Sequence, residues 1–266
     1  MTCYQPINSV LRAFDVIEAM NRRGVSTLEY LHQQTALPKP TLVRLLDTFM
    51  HRGLVKRGPR HGTYHLTGQI KALSSGYHSE PRMIEAAAPV AIQLTREIKW
   101  PLGVAVFERD SMVIQYSSIP YSPIAPYHSV LNLRYTMLGS AMGRAYIASC
   151  SREERDMILC ILKDSDNPSE ARRATDPRAV RDVVDQTLRQ GYAVRDPAER
   201  PDTQSIGVPI FDGDTLAGSM AIAWFRSALS LTEAIERYAE PMKEAAAEIS
   251  ARCQALRLAE PSALRN

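Results

Sequence analysis

Residues 37–46, LPKPTLVRLL, decide the fold of the N-terminal part of this chain. Proline is tolerated in the first turn of a helix, where its missing N–H would have no partner. A helix is therefore predicted to begin near Pro38 or Pro40, and Gly53 is predicted to end it. Its apolar residues recur at the spacing of a buried stripe, as Leu42, Leu45, Leu46 and Phe49. The opposite face carries Lys39, Thr41 and Arg44, with Asp47 beside them.

The segments on either side of this helix complete a known order of elements. Apolar spacing predicts a first helix from Ser9 until Gly24 stops it, and Ser26 with Glu29 predicts the capping box of a second helix that ends near Thr35. Residues 54–57 and 63–66 are strand-like runs around a turn at 58–62, which makes a hairpin with a basic tip. This is the order of a winged helix-turn-helix, whose third helix enters the major groove of DNA. Residues 1–66 are assigned to that domain.

Charge is distributed unevenly along the chain. Residues 1–66 contain nine lysines and arginines and four acids, a balance of +5, whereas residues 67–266 contain the other 23 basic and 25 acidic residues, a balance of −2. A basic module followed by an acidic one predicts a polyanion contact in the first module only. Because the sequence contains neither a membrane-length apolar run nor a signal peptide, we expect a cytoplasmic, nucleoid-associated protein with no membrane partner.

Two groups of residues are predicted to contact double-stranded DNA. The first group lies on the third helix, where polar side chains can reach base edges in the groove: Lys39, Thr41 and Arg44, with Pro40 between them. Arg44 is the best candidate for a base contact. The second group lies on the hairpin and would cover phosphates, which adds salt-dependent affinity: Lys56, Arg57, Arg60 and His61.

The run from Leu37 to Leu46, followed by Gly53-Leu54-Val55 and Tyr64-His65-Leu66, closely resembles the DNA-binding domain of the IclR family of bacterial transcriptional regulators. The resemblance covers roughly residues 8 to 255. It implies a winged helix joined through a linker helix to a GAF-like effector domain. It also implies a dimer that binds a palindromic operator and responds to a small organic acid. We further expect a tetramer as the alternative assembly and RNA polymerase as a further partner. Activator and repressor remain equally open.

The remainder of the chain predicts an α+β domain. Residues 67–80 are expected to form a linker helix, residues 81–258 the effector domain and residues 259–266 a C-terminal tail. A long helix follows Pro81, and strand-like or helical patterns then alternate at 102–107, 112–116, 131–136, 140–149, 152–162, 176–190, 192–194, 205–211 and 216–225. Ser230 with Glu233 predicts the capping box of a last helix, in which Pro241 marks a kink or break. The predicted architecture is an antiparallel sheet with helices on one side.

The resemblance implies that the effector lies between the sheet and the segment from Ile124 to Arg144. The matching positions are Ile124, Tyr127, Tyr135, Ala141, Met142, Arg195, Thr203, Ser205, Ala221 and Ala223. The residues themselves add a chemical reason, because a carboxylate needs N–H donors or a cation. That need predicts the N-terminus of the helix opening at Ser140, with Arg195, Ser205 and His128 as side-chain candidates.

The effector is expected to be an aromatic acid of the phenylpropionate or hydroxybenzoate type. The small side chains of Ala221 and Ala223 predict a roomy pocket, and the tyrosines of an earlier loop, Tyr121, Tyr127 and Tyr135, predict that it is aromatic. The elements Trp100-Pro101 and Asp110-x-Met112-Val113 are similar to those of regulators of phenylpropionate and hydroxyphenylpropionate catabolism. Control of a catabolic operon is therefore expected.

Catalysis is not indicated. Residues 139–143, GSAMG, lack the G-x-S-x-G spacing of a nucleophile elbow, and His61 and His65 lack the intervening acid of H-E-x-x-H. The sequence has no glycine-rich phosphate loop, and its four scattered cysteines form no zinc pattern. We expect no enzyme activity, no catalytic residue, no cofactor and no metal. The alternative hypothesis is a small-molecule-binding module or enzyme whose winged helix contacts protein instead of DNA.

Overall fold

The computed structural model describes residues 6–60, 62–74, 82–126 and 129–259. The chain divides into two compact units with a boundary near residue 80, and each unit is described by itself. Among the described residues, no helix combines the length and the apolarity needed to cross a membrane.

The first unit contains three helices and a small sheet. Its elements in chain order are α1 (Asn8–Asn21), β1 (Ser26–Thr27), α2 (Leu28–Thr35), α3 (Lys39–His51), β2 (Val55–Arg57) and β3 (Thr63–Leu66), followed by a 3-10 helix at Gly68–Ser74. The strands pair antiparallel in the order β1-β3-β2. This is the predicted winged helix-turn-helix, and the prediction is confirmed.

The core of the first unit follows the predicted apolar spacing. Val16 and Met20 of α1 are buried against Leu31 of α2 and against the α3 stripe of Leu42, Leu46 and Phe49. Leu45 is only partly buried at the edge of this core. The α3 side chains on the opposite face, among them Val43, Arg44 and Asp47, stay exposed to solvent.

One detail of the second helix was predicted wrongly. Ser26 is not the N-cap of α2, because it is a strand residue paired with Tyr64 of β3. The cap is Thr27, whose Oγ1 accepts a hydrogen bond from the N–H of Tyr30 at 3.2 Å. Glu29 therefore lies in the first turn of α2 and is free to form a different contact, described below.

The second unit is built on six antiparallel strands. Its elements in chain order are α4 (Arg82–Ile98), β4 (Leu102–Glu108), β5 (Ser111–Ser117), β6 (Arg134–Tyr135), α5 (Ala141–Ser149), α6 (Arg152–Lys163), α7 (Pro168–Ala174), α8 (Pro177–Gln190), β7 (Ala193–Val194), β8 (Thr203–Asp212), β9 (Thr215–Phe225) and α9 (Leu231–Ala259), with a short 3-10 helix at Ile119–Tyr121. The strand order is β6-β5-β4-β9-β8-β7. The predicted α+β class with an antiparallel sheet is confirmed.

Helices pack on both faces of this sheet, so the expectation of helices on one side is wrong. Alternate residues of β8, Ile206, Val208 and Ile210, join a core with α4 and α9. The residues between them face the opposite way, and there α5 packs on β8 and β9. The second face can be covered by a helix because its residues are small, as Ser205, Gly207, Ala221 and Ala223 are, and small residues allow a helix to approach the sheet closely.

Three further boundaries differ from the sequence expectations. The helix α7 was not predicted, and the strand expected over 131–136 is confined to Arg134–Tyr135. The helix α9 runs through Pro241 without a break, and its predicted capping box is confirmed, since the N–H of Glu233 donates to Ser230 Oγ at 3.3 Å and the N–H of Ser230 donates to Glu233 Oε2 at 3.1 Å.

Candidate functional site

The exposed face of α3 is the first candidate surface. Pro40, Val43, Arg44 and Asp47 are all exposed on the side away from the core stripe. Val43 is an apolar side chain that remains 37% accessible, and sequence reasoning did not single it out. Among the described residues, Arg44 has no ion-pair partner, so its guanidinium is available to a ligand.

Two predicted DNA-contact residues of α3 are less available to a ligand than Arg44 is. Lys39 forms an ion pair of 2.6 Å with Glu29 of α2, and the hydrogen bond from Lys39 lowers the pKa of that carboxyl. Thr41 is half-buried at the edge of the exposed face. The Lys39–Glu29 ion pair joins the first turns of α2 and α3, so it orients the start of the third helix.

The wing presents its basic residues in different directions. Lys56 pairs with His65 and Arg57 pairs with Tyr64, so the side chains of Lys56 and Arg57 leave the sheet on opposite faces. The turn is held by Thr63, whose Oγ1 donates to the carbonyl of Arg60 at 2.6 Å. Lys56, Arg57 and Arg60 are all exposed, whereas His61 lies outside the described residues.

The second candidate surface is the face of the large sheet covered by α5. The first turn of this helix approaches β8 so closely that a Cβ added to Gly207 would lie 2.7 Å from the carbonyl oxygen of Ala141. The side chain of Met142 packs in the same way over Gly103 of β4. Ser140 caps the helix, since its Oγ accepts from the N–H of Gly143 at 3.0 Å and donates to the carbonyl of Thr136 at 2.6 Å.

Arg195 brings a positive charge to this face. It follows β7 and is only 4% exposed, its N–H donates to the carbonyl of Ser205 at 3.1 Å, and its guanidinium donates to Thr203 Oγ1 at 2.9 Å. Residues opposite each other in an antiparallel pair point to the same face. Arg195 therefore shares its face with Ser205, Thr203 and Gly207, which is the face that α5 covers.

The neighbouring strand adds small side chains to the same face. Ala223 pairs with Ser205, and Ala221 pairs with both Gly207 and Gly103. The hydroxyl of Ser205 donates to the carbonyl of Ile222 at 2.7 Å, so its proton is used within the sheet. The structure thus brings together eight of the predicted effector residues: Ser140, Ala141, Met142, Arg195, Thr203, Ser205, Ala221 and Ala223.

The other predicted effector residues are placed differently. Tyr135 is half-buried on β6, with the guanidinium of Arg200 5.5 Å from the centre of its ring. Ile124 is exposed in the loop that follows the 3-10 helix of the second unit. Tyr127 and His128 lie outside the described residues.

A buried carboxylate fixes the loop that leads into α5. Glu170 of α7 is 2% exposed, and its Oε2 accepts hydrogen bonds from the N–H groups of Met137 at 2.7 Å and Leu138 at 3.1 Å. Arg173, one turn further along α7, lies 3.6 Å from Glu170 and forms ion pairs with Asp196 at 3.0 Å and Glu199 at 2.9 Å. Burial raises the pKa of Glu170 even though the two N–H groups and Arg173 oppose that effect.

Asp196 links this network to the residue next to Arg195. Its Oδ2 accepts from Arg144 of α5 at 3.0 Å, and its N–H donates to the carbonyl of Gly139 at 2.9 Å. Burial raises the pKa of Asp196, but the N–H of Ala198 and the guanidinium groups of Arg173 and Arg144 outweigh it, so the pKa lies below its ordinary value. Burial lowers the pKa of Arg144. The loop before α5, the end of β7 and α7 are therefore held as one assembly.

No group of three or more His, Cys, Asp or Glu side chains in the described part of the chain is placed to hold a metal ion. The two surfaces offer groups suited to recognition: an exposed helix face that carries Arg44 in one unit, and the buried guanidinium of Arg195 on the sheet face covered by α5 in the other.

Two family models match the chain. The IclR helix-turn-helix domain matches residues 9–59, and the bacterial transcriptional regulator IclR C-terminal domain matches residues 76–251. The chain belongs to the IclR family of bacterial transcriptional regulators. A relative in this family is the HTH-type transcriptional regulator KdgR of Escherichia coli (strain K12), which is 26% identical over 247 residues and is covered, like this chain, over 92% of its length.

Solved structures of the IclR family share this fold. The Thermotoga maritima IclR structure is 18% identical, with a TM-score of 0.64 over 93% of this chain and 99% of that one. An IclR homolog from Microbacterium hydrocarbonoxydans, solved in complex with 4-hydroxybenzoate, is 21% identical, with a TM-score of 0.60 over 93% of this chain and 99% of that one. At these identities the structures establish the fold alone.

Membership of the IclR family settles the class of protein. The chain is a transcriptional regulator with a helix-turn-helix DNA-binding domain and an effector-binding domain, and it is not an enzyme. The exposed face of α3 lies in the DNA-binding domain, and the sheet face covered by α5 lies in the effector-binding domain. The resemblance seen in the sequence is confirmed.

Sequence reasoning missed several residues that shape the two surfaces. Gly103 and Gly207 carried a usable signal, since an isolated glycine within a strand pattern indicates close approach of another backbone. Val43 could have been found by plotting α3 as a helix, because it lies opposite the core stripe. Glu170 carried no local signal, because its hydrogen-bond partners lie more than 30 residues before it in the chain.

Proposed function

We propose that this regulator binds a palindromic operator as a dimer and that a small aromatic carboxylate, bound in its second unit, changes operator affinity or contact with RNA polymerase. The main support for a carboxylate effector is the position of Arg195. Its buried guanidinium shares one face of the sheet with Ser205, Ala221 and Ala223, beneath the N-terminus of α5.

The chemistry of that position favours an anion. A charge-assisted hydrogen bond to a guanidinium is stronger than a neutral one, and the first N–H groups of a helix have no acceptor within the helix. Ser140 Oγ caps the N–H of Gly143. A carboxylate that reaches the start of α5 would meet both the helix N-terminus and a cation, as anions do at other helix N-termini.

The shape of the site favours an aromatic body on that anion. Ala221 and Ala223 occupy positions where larger side chains would project over the same face as Ser205. The complex of the Microbacterium homolog with 4-hydroxybenzoate shows that a protein of this fold accommodates a ring with a carboxylate. We therefore assign hydroxybenzoates and phenylpropionates as the preferred class, which fits control of a catabolic operon.

A thermal-shift screen tests the effector proposal. Addition of 4-hydroxybenzoate or phenylpropionate should raise the midpoint of unfolding by mass action, and acetate at the same concentration should not. Arg195→Gln should weaken binding about 10- to 100-fold, because a charge-assisted hydrogen bond is worth roughly 1.5–3 kcal/mol. Arg189→Gln, on the exposed side of α8, is the matched control and should bind normally.

Two outcomes would contradict the effector proposal. A response to acetate without a response to either aromatic acid would remove the aromatic assignment, and no response to any carboxylate would remove the site. If Arg195→Gln fails to fold by circular dichroism, Ala223→Leu provides a second test. It fills the face without changing charge, so it should reduce the response to aromatic acids.

The DNA-binding part rests on the exposed face of α3. Arg44 can form two hydrogen bonds with a guanine, and Val43 can contact the methyl group of a thymine. Selection of bound duplexes from a random library should yield two half-sites related by two-fold symmetry. Arg44→Ala should lower affinity for the selected duplex by about 1–3 kcal/mol and relax its preference at one base pair of each half-site.

Arg52→Ala is the control for Arg44, because Arg52 is exposed at the end of the same helix but lies beyond the face of Pro40, Val43 and Arg44. Equal losses for the two variants would contradict base reading by Arg44. A selected site without two-fold symmetry would contradict the dimer.

A further inference from the structure

A concave surface on the first unit is not accounted for by α3 or by the wing alone. It lies between the turn after α1 and the wing, has a volume of about 470 Å³, and is formed by these residues: Arg23, Gly24, Val25, Thr27, Pro59, Arg60, Thr63 and His65. Of these residues, only Arg60 belongs to the predicted DNA contacts. Arg23 comes from the opposite side of the concavity, about 40 residues earlier in the chain.

The lining is basic and contains no acid. Arg23 and Arg60 are exposed, and neither forms an ion pair with any described residue. The guanidinium of Arg23 lies 4.8 Å from the centre of the Tyr30 ring, which supports its side chain without neutralising the charge. His65 also lines the concavity, but its Nε2 is shielded from solvent. The exposed cationic groups of the lining are therefore the guanidinium groups of Arg23 and Arg60.

The concavity is next to the DNA-reading helix. Thr27, which lines it, is also the N-cap of α2. Two residues further on, Glu29 is joined to Lys39 at the start of α3 by their ion pair of 2.6 Å. In a helix-turn-helix complex the first of the two helices crosses the DNA backbone while the second enters the groove. A backbone strand passing the start of α2 would therefore meet the concavity.

We propose that Arg23 and Arg60 form a phosphate-binding site for the DNA backbone, in which Arg23 completes a clamp that the wing begins. This inference rests on the proposed operator binding and adds one contact, that of Arg23, from outside both the third helix and the wing. Its ligand is a phosphodiester, which is recognised by charge and hydrogen bonding without reading sequence.

The test uses the full chain and a fluorescein-labelled duplex of mixed sequence, because phosphate contacts do not require the operator. Affinity is measured by anisotropy between ~50 and ~200 mM KCl, and each lost phosphate contact should reduce the slope of log K against log salt by about 0.9. Arg23→Gln and Arg60→Gln should each show this reduction, which corresponds to about a 3-fold smaller loss of affinity over the salt range.

Arg22→Gln is the matched control, since it removes the same charge from the adjacent exposed residue, which does not line the concavity. Its slope should stay closer to that of the wild type. Equal slopes for Arg22→Gln and Arg23→Gln would overturn the clamp while leaving operator binding intact. Failure of the unmodified chain to bind any duplex at low salt would instead overturn operator binding itself.

A free phosphate ion could bind the same two arginines as a phosphodiester of the DNA backbone does. A second measurement distinguishes these two ligands. Inorganic phosphate is added at constant ionic strength and the thermal midpoint is recorded. If phosphate stabilises the wild type but not Arg23→Gln, and the duplex slopes of the two proteins are equal, the site binds free phosphate and the proposal is wrong. A reduced slope for Arg23→Gln supports the DNA backbone.

Discussion

Eight of the nine lysines and arginines before residue 67 form no ion pair with any described residue, Lys39 being the exception. In the second unit, Arg144 and Arg173 are mostly buried, and each is bound to carboxylates at about 3.0 Å. The same residue type is thus left open to solvent in the DNA-binding domain and used internally in the effector-binding domain.

This difference separates residues that stabilise the fold of this chain from residues that are available to a ligand. An exposed cation without a partner contributes little to folding, so its replacement should mainly affect a polyanionic ligand. A buried cation among acids holds a loop in place, so its replacement leaves uncompensated charges inside the protein. Both tryptophans, Trp100 and Trp224, belong to the second unit, so their fluorescence reports on that unit alone.

The largest effect is expected for Glu170→Ala. The change leaves the N–H groups of Met137 and Leu138 without acceptors and removes a carboxylate beside Arg173, which should cost about 3–5 kcal/mol. Urea unfolding followed by tryptophan fluorescence measures the loss. Glu153→Ala, at an exposed position in the first turn of α6, should cost far less. Similar losses for the two variants would show that the Glu170 network does not stabilise the effector-binding domain.

A smaller loss is expected for Gly207→Ala. The added Cβ would meet the backbone of Ala141, which cannot move as a flexible side chain could, so overpacking should cost about 1–3 kcal/mol. The same substitution at Gly24 of the first unit meets no atom within 4 Å and should change stability by less than about 0.5 kcal/mol. Circular dichroism follows both variants. If Gly207→Ala is as stable as the wild type, the close approach of α5 to β8 is not a constraint.

The sequence predicted the DNA-binding domain more completely than the effector site, for a physical reason. The third helix was found because Pro38, Pro40 and the leucine stripe are local signals within one element. The capping residue of α2 was misplaced by one position, because Ser26 and Thr27 are both suitable caps and only the pairing of Ser26 with Tyr64 distinguishes them.

The effector site depends on contacts between distant segments. Arg195 was a correct candidate by family resemblance, but its burial on the α5 face follows from the pairing of the β7 end with β8. The anchoring of the α5 loop by Glu170 depends on α7, a seven-residue helix that was too short to show a clear period. Helices on both faces of the sheet could not be predicted, because strand alternation shows that a face is buried without showing what covers it.

The stability of the two domains should depend on pH in different ways. The pKa of Asp196 is lowered in the folded state, so its contribution to stability is present above the ordinary value of 3.8 and is lost as pH falls below it. Asp196→Asn should therefore flatten the fall in stability of the effector-binding domain below pH 3.8, as seen by tryptophan fluorescence. An unchanged pH profile would mean that Asp196 has the same pKa in the folded and unfolded chain.

Glu29 is the matching carboxylate of the DNA-binding domain, and its pKa is lowered by the hydrogen bond from Lys39. Both partners of this pair are exposed, so salt should screen it far more than the network around Asp196. In high KCl, Glu29→Gln and the wild type should have the same acid unfolding profile by circular dichroism, whereas the difference made by Asp196→Asn should persist. Persistence of both differences would contradict the distinction between the two domains.

The smallest effect is a gain in stability in the DNA-binding domain. Ala36 ends α2 in the left-handed conformation, with φ of 55°, immediately before the turn into α3. A non-glycine residue there carries about 1–2 kcal/mol of strain, part of which glycine would relieve against its greater freedom in the unfolded chain. Ala36→Gly should therefore stabilise this domain by about 0.5–1 kcal/mol in circular dichroism melts and leave the tryptophan transition unchanged. Ala13→Gly, in the interior of α1, should have the opposite sign, because glycine weakens a helix by about 1 kcal/mol. If Ala36→Gly were also destabilising, the turn would need its alanine for packing, and the strain argument for this turn would be wrong.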